Sequence, residues 1–317
     1  MTNDSSAAAV TIQSKPQDGL PSVKATSPRQ RQLFFKRALY RAYTDLCLPN
    51  RLWEYRDLLQ HAKDLGYQIH SVYSFWQMLN HKDLAAGQKY LVLRHDVDTA
   101  SSSARKMWTI DMQLNIRSSY YFRLTTMDTA FLKEIHAAGC EASYHYEELS
   151  TIMKAKGVEE PHQAIQELPH ARAAFKNNLK RLRCLTGLPM RTVAAHGDFV
   201  NRRLKVFNTM ILEDERFRED VDIDAEAYDD NITTHFVGSY SDVTREYPRR
   251  WKVQHPSVGL NAGETVIHLL IHPEGWSRNS ARNVADDLSR VWQELAYGYA
   301  IRKRRAAPDE ITRSSAQ

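Results

Sequence analysis

Hydrophobic positions along the chain change their period near Gly87. Before it, Leu33, Phe34, Ala38 and Tyr43, then Leu52, Tyr55, Leu58 and Leu59, then Val72, Phe75, Trp76 and Leu79 recur three and four residues apart. That spacing lines one face of a helix, and it predicts a helical N-terminal extension over residues 29–87. After it, short β-branched and aromatic runs at 90–93, 118–122, 141–144, 192–195 and 265–271 alternate with amphipathic stretches. Such alternation predicts parallel strands joined by crossover helices, an α/β fold rolled into an irregular parallel barrel over 88–306. Residues 213–251 have no clean period and read as short strands and loops. Val284, Leu288, Val291, Trp292, Leu295 and Tyr299 stand at helical intervals in a closing helix over 279–305. Residues 1–28 have the Ser-, Ala-, Thr- and Pro-rich composition of a flexible leader, and 307–317 read as a flexible tail.

Composition narrows the class. With 317 residues, 42% hydrophobic and 26% charged, the chain can bury a sizeable core. Cys47, Cys140 and Cys184 are far apart and form no CxxC, so neither a disulfide framework nor a zinc knuckle is expected and a reducing compartment fits. No signal-peptide pattern and no apolar stretch of membrane-spanning length is seen, which gives a cytoplasmic expectation with no membrane span. The formal charge of +5 sits partly in terminal runs, Arg29 with Arg31 and Arg302 to Arg305. Solvated helix ends account for those more simply than a nucleic-acid partner, and none is expected. The extension over 29–87 either covers the barrel or forms a dimer contact, and the pattern does not choose.

Parallel barrels carry functional side chains where strands run into loops. The first strand stops in Arg94-His95-Asp96-Val97-Asp98, where Asp96 and Asp98 project to one side and His95 to the other. Two carboxylates in one site need a cation or a shared proton, although a strand-end ion pair or a helix N-cap would also account for them. His145 ends the second such run, His196-Gly197 the third and His272 the last, with His268 earlier in that strand. Each histidine alone reads most simply as a satisfied polar residue. Together they converge on one mouth if the barrel forms, and an Asp/His/His set with an open position is the arrangement of a catalytic metal.

At these residues the sequence resembles the polysaccharide deacetylase superfamily, in particular its branch with an R-H-D-V-D first motif. Arg94 to Asp98 match that motif, Gly139 to Leu149 resemble a G-H-E-I-G-Y-H-Y-E-D-L segment, His196-Gly197 match H-G-S, and Leu269 to Trp276 resemble L-L-I-H-P-E-x-W. Tyr240, Asp242 and Trp251 fall where the branch carries Tyr, Asp and a later Trp. The resemblance implies a distorted (β/α) barrel of polysaccharide deacetylase type and a divalent metal, Zn²⁺ in the first instance. It also implies Asp98 and His145 as ligands, Asp96 as general base and His272 as general acid, with Arg94 and Asp242 holding those groups. The family's usual second ligand lies four residues after the first, where this chain has Leu149, so His196 is the expected replacement. Asp96 and Asp98 can exchange roles in this reading. Cys140, Ser143 and Asp198 also depart from the branch pattern.

The activity implied is removal of an acyl group, N-acetyl above all, from a sugar or polysaccharide precursor. Tyr144, Tyr146, Trp251 and Trp276 are then expected either to stack on a sugar ring or to belong to the core, and Glu147 either to contact amino or hydroxyl groups or to cap a helix. The alternatives are an amidohydrolase acting on a small non-sugar amide, and a degenerate barrel that binds a glycan or protein without turnover.

Overall fold

The computed structural model describes residues 49–242, 251–277 and 280–306. The leader, the apolar positions at Leu33 to Tyr43 and the C-terminal tail lie outside them. Eight strands form one sheet: β1 (Tyr67–His70), β2 (Lys89–Val97), β3 (Ser119–Phe122), β4 (Glu141–Tyr146), β5 (Thr192–Ala195), β6 (Ala225–Glu226), β7 (Gly238–Ser241) and β8 (Val266–Ile271). Every ladder is parallel, and the order runs β6-β5-β4-β3-β2-β8-β7. The sheet curls into a half-barrel flanked by helices, and among the described residues β6 and β7 do not pair to close it.

The helices expected around Leu52 and Val72 are Leu52–Asp64 and Val72–His81, but β1 lies between them. Its four residues are too few to show a period against helical neighbours, and they pair with Lys89 to Val92 of β2. Ser71 caps helix Val72–His81. At that helix start, the Val72 N–H donates to Ser119 Oγ at 2.7 Å and the Tyr73 N–H to Glu141 Oε2 at 2.9 Å. The N-terminal stretch thereby ties into the ends of β3 and β4 opposite the loops that bear the histidines.

Alternation sorts β2 into two faces. Leu91 and Leu93 pack outward with Tyr55, Leu58, Leu59 and Met107 of the flanking helices, while Tyr90 and Val92 pack inward with Tyr121, Ala194 and Val266. Leu58, the most exposed of these apart from Val266, is 5% accessible, so both faces are dry. Each such side chain contributes roughly 1.5–3 kcal/mol by leaving water. In the C-terminal helix Ser280–Ala306, Tyr297 and Ile301 join the core, whereas Trp292, Leu295 and Tyr299 of the expected stripe are 71%, 59% and 64% exposed. This helix crosses the end of helix Glu148–Lys156 closely. Gly157 there has φ +60°, and an added Cβ would meet the Ala300 backbone at 2.5 Å. Among the described residues no helix is long and apolar enough to cross a membrane.

On its outer face β2 also carries His95, fully buried between Ser119 O (3.0 Å from Nδ1) and Tyr55 Oη (2.8 Å from Nε2). Tyr55 Oη also lies 2.5 Å from Asp111 Oδ1, and Ser118 and Tyr120 donate to Asp111 Oδ2. A carbonyl only accepts, so Nδ1 bears hydrogen, and the one Tyr55 hydrogen faces two acceptors. Burial holds His95 down at about 3 and pushes Asp111 up to about 6, so below about pH 6 a proton on Asp111 completes the chain of donors. A raised carboxyl favours the fold below its unfolded value of 3.8, and this contribution is lost as pH rises through about 6. Tyr55→Phe is expected to lower stability by about 1–3 kcal/mol, read as a fall in the urea midpoint at unchanged slope.

Candidate metal centre

Because all strands run one way, the C-terminal ends of β2, β4, β5, β7 and β8 open at the same rim. The inward parity of β2 turns Arg94 and Asp96 into the concavity, with Asp98 just past its end; His145 points inward from β4, and His196 and His272 each follow the last residue of their strands. Asp98, His145 and His196 each present one ligand atom, all within 4.8 Å of one another. Asp98 Oδ1 is 3.3 Å from His145 Nε2 and 3.1 Å from His196 Nδ1, and the two nitrogens are 3.2 Å apart.

Hydrogen bonding fixes what these atoms offer. His145 Nδ1 lies 2.9 Å from Ala194 O, an acceptor, so it bears the hydrogen and, in the neutral ring, Nε2 turns a lone pair inward. Asp98 Oδ1 is buried without a well-directed hydrogen bond. Burial opposes charge on Asp98, yet the imidazoles of His196 and His145 hold it well below the usual carboxylate range. Burial likewise opposes charge on His145, and Asp96 and Asp98 raise its pKa nonetheless. The centre therefore attracts positive charge. Four ligands about 2.0–2.1 Å from a tetrahedral ion stand about 3.3 Å apart, which matches this triangle and fits zinc-type ligation. The oxygen and two nitrogens suit a borderline ion; they do not single one out.

Two supporting pairs flank the triangle. Arg94, fully buried, donates through Nε to Asp96 Oδ1 at 2.7 Å and through Nη2 to Oδ2 at 2.8 Å. Burial would raise the Asp96 pKa, and the guanidinium outweighs it and lowers it. Asp96 Oδ2 stands 3.5 Å from His145 Nε2, beside the triangle. Across the mouth, Asp242 accepts from His272 Nδ1 at 2.8 Å, from the His272 backbone N–H at 2.9 Å and from Trp276 Nε1 at 2.6 Å. Burial opposes charge on His272, but Asp242 prevails and lifts its pKa to about 10.

The expected substrate contacts fare differently. Tyr144 and Tyr146 face away from the mouth, because strand alternation that turns His145 inward turns both of them out. They pack on Phe175 in the outer core, with Tyr144 donating to Glu148. Their expected ring-stacking role is thereby corrected to the core alternative. Leu149 is buried in the same core, away from the triangle. Glu147 neither caps a helix through its side chain nor stands free: it holds Arg123 at 2.7 and 2.8 Å, and Arg123 Nη1 donates to the Asp98 carbonyl at 3.1 Å. Trp276 is buried, with Arg51 over its ring, and acts on the site through Asp242. Trp251 is half-buried against Trp276. Asp198 caps helix Phe199–Leu204 and pairs with Lys154. His268 stays inside the barrel, near Ser239 and stacked on Phe236.

The sequence patterns assigned no role to three residues at this mouth, although Glu274 lies within the segment that resembles L-L-I-H-P-E-x-W. Tyr228, 43% exposed, lays its ring 4.4 Å from the Arg94 guanidinium. Its segment has no period to reveal it. Glu226 accepts from the Tyr228 and Ala195 backbone N–H groups and so fixes the turn. Glu274, two residues past His272, has its pKa pushed to about 7 by burial and by the Asp98 carboxylate. No protein-family model matches the chain, and no curated protein matches it.

Proposed function

We propose that the chain is a metal-dependent hydrolase on a barrel of polysaccharide deacetylase type, removing an acyl group, N-acetyl in the first instance, from a sugar or polysaccharide precursor. One observation carries the reading: an inward-facing Asp/His/His triangle lies between an arginine-clamped carboxylate and an aspartate-held imidazole. A divalent ion, when bound by Asp98, His145 and His196, supplies Lewis-acid polarisation of an acyl carbonyl and a more acidic water. Asp96, kept ionised by Arg94, accepts the proton of the attacking water. The Arg94 fork also fixes the direction in which Asp96 presents its free lone pairs. His272, kept as imidazolium by Asp242, gives a proton to the departing amine or alcohol, and the Trp276 indole N–H holds Asp242 in line. His196 supplies the imidazole that Leu149 does not, which weakens the motive for a non-catalytic barrel.

The test is acetate release from N-acetylglucosamine oligosaccharides by protein loaded with zinc and by protein treated with chelator. Zinc-dependent release is expected, with His272→Gln slower by about two orders of magnitude. Because the raised His272 pKa preserves its charge until pH rises through about 10, the wild-type rate is expected not to fall on this group's account between pH 7 and 9. No zinc-dependent release from these oligosaccharides or from a panel of small amides would sink the reading.

A further inference from the structure

Glu274 has no part in the chemistry above, yet its placement is not that of a surface acid. It lies in the short turn Pro273–Gly275 immediately after His272, and its Oε2 is buried without a hydrogen-bond partner. Its charged neighbours are Asp98, His272 and Asp242. Two of these are acceptors; the third commits its Nδ1–H and its backbone N–H to Asp242, and its remaining ring N–H makes no hydrogen bond to Glu274 Oε2. A buried acceptor is rarely left unpaired in a folded protein, so the missing donor is to be sought in what enters the mouth. Glu274 follows His272 by two residues and stands close enough to it and to Asp98 for both charges to act on it, so it lies beside the group that gives up the proton.

We infer that Glu274 is a specificity residue whose carboxyl oxygen accepts a hydrogen bond from a hydroxyl or amino group adjacent to the leaving nitrogen or oxygen. The ligand class is an acylated amine or alcohol with a vicinal hydrogen-bond donor. The term leaving group rests on the hydrolase reading; the contact itself does not. The hydroxyl donates to Oε2, and an analogue without it leaves that oxygen buried and unpaired, which is a strong basis for discrimination.

A matched pair of probes tests this: N-acetyl-trans-2-aminocyclohexanol and N-acetylcyclohexylamine, which differ by one hydroxyl. Calorimetric titration of the full chain, with and without zinc, is expected to give about tenfold tighter binding of the hydroxylated amide. Glu274→Met is expected to bring the two affinities within about twofold, while Glu274→Gln, whose carbonyl still accepts, keeps part of the preference. Thermal melting of both variants checks that they fold. Equal affinities in wild type, no binding of either amide, or a preference that survives Glu274→Met would overturn the inference. Acetate release on the same pair separates the two claims. A binding preference with no zinc-dependent release from this pair, the N-acetylglucosamine oligosaccharides or the small-amide panel sinks the hydrolase reading alone, whereas release without preference sinks the role of Glu274 alone.

Discussion

Substituting Ala for Asp98, His145 or His196 is expected to leave the purified chain nearly free of zinc and without measurable acyl hydrolysis, while the wild type holds about one ion per chain. Each substitution removes a corner of a triangle whose edges are 3.1, 3.2 and 3.3 Å. Two protein ligands with water in the remaining positions bind far more weakly than three. Loading is also expected to release protons, because the raised His145 pKa means that protons and metal compete for Nε2. Metal analysis after gel filtration, together with proton release on zinc titration, checks both statements. Stoichiometric zinc in all three variants would show that the ion, if any, sits elsewhere.

The second large effect falls on stability. Arg94→Leu leaves the Asp96 carboxylate buried at 2% exposure without its bidentate partner. Breaking a buried pair from one side typically costs about 3–5 kcal/mol. Asp96 has a lowered folded pKa, so the pair stabilises the protein above the unfolded carboxylate value, and that contribution is lost as pH falls through the folded value. The variant's deficit is therefore expected to be large at pH 7 and to shrink towards pH 4, where a buried Asp96 deprived of Arg94 takes up a proton. Adding Asp96→Asn to Arg94→Leu is expected to restore much of the loss at pH 7. Urea melts at pH 7 and pH 4 measure this, and an equal deficit at both would contradict the electrostatic account.

Where one physical rule dominated, the sequence was legible. Period-two alternation in β2 put Asp96 on the inner face and His95 on the outer one, and strand ends collected His145, His196 and His272 at a common rim. The same rule, applied one residue either side of His145, turns Tyr144 and Tyr146 into the core, the alternative that had stood open for them beside ring stacking. β1 and β6 escaped because four and two residues carry no measurable period, and their place is decided by the neighbours they pair with. Tyr228 and Glu226 follow from that same short strand, so their arrival over and beside Arg94 is a property of tertiary packing alone. The clamp of Arg94 on Asp96, which the resemblance implied, spans two positions of one strand.

The arrangement around β2 has one more consequence. β1 holds its first four residues and β3 the last four on one side, while β8 grips Tyr90 to His95 on the other. A strand zipped along both margins has no freedom to slide, and a slide by one position would exchange its faces, sending Arg94 and Asp96 among the helices and Leu91 and Leu93 into the opening. The alignment that shelters the aliphatic side chains is thus the same one that aims the acids. A one-residue insertion or deletion within β2 would therefore lose both at once.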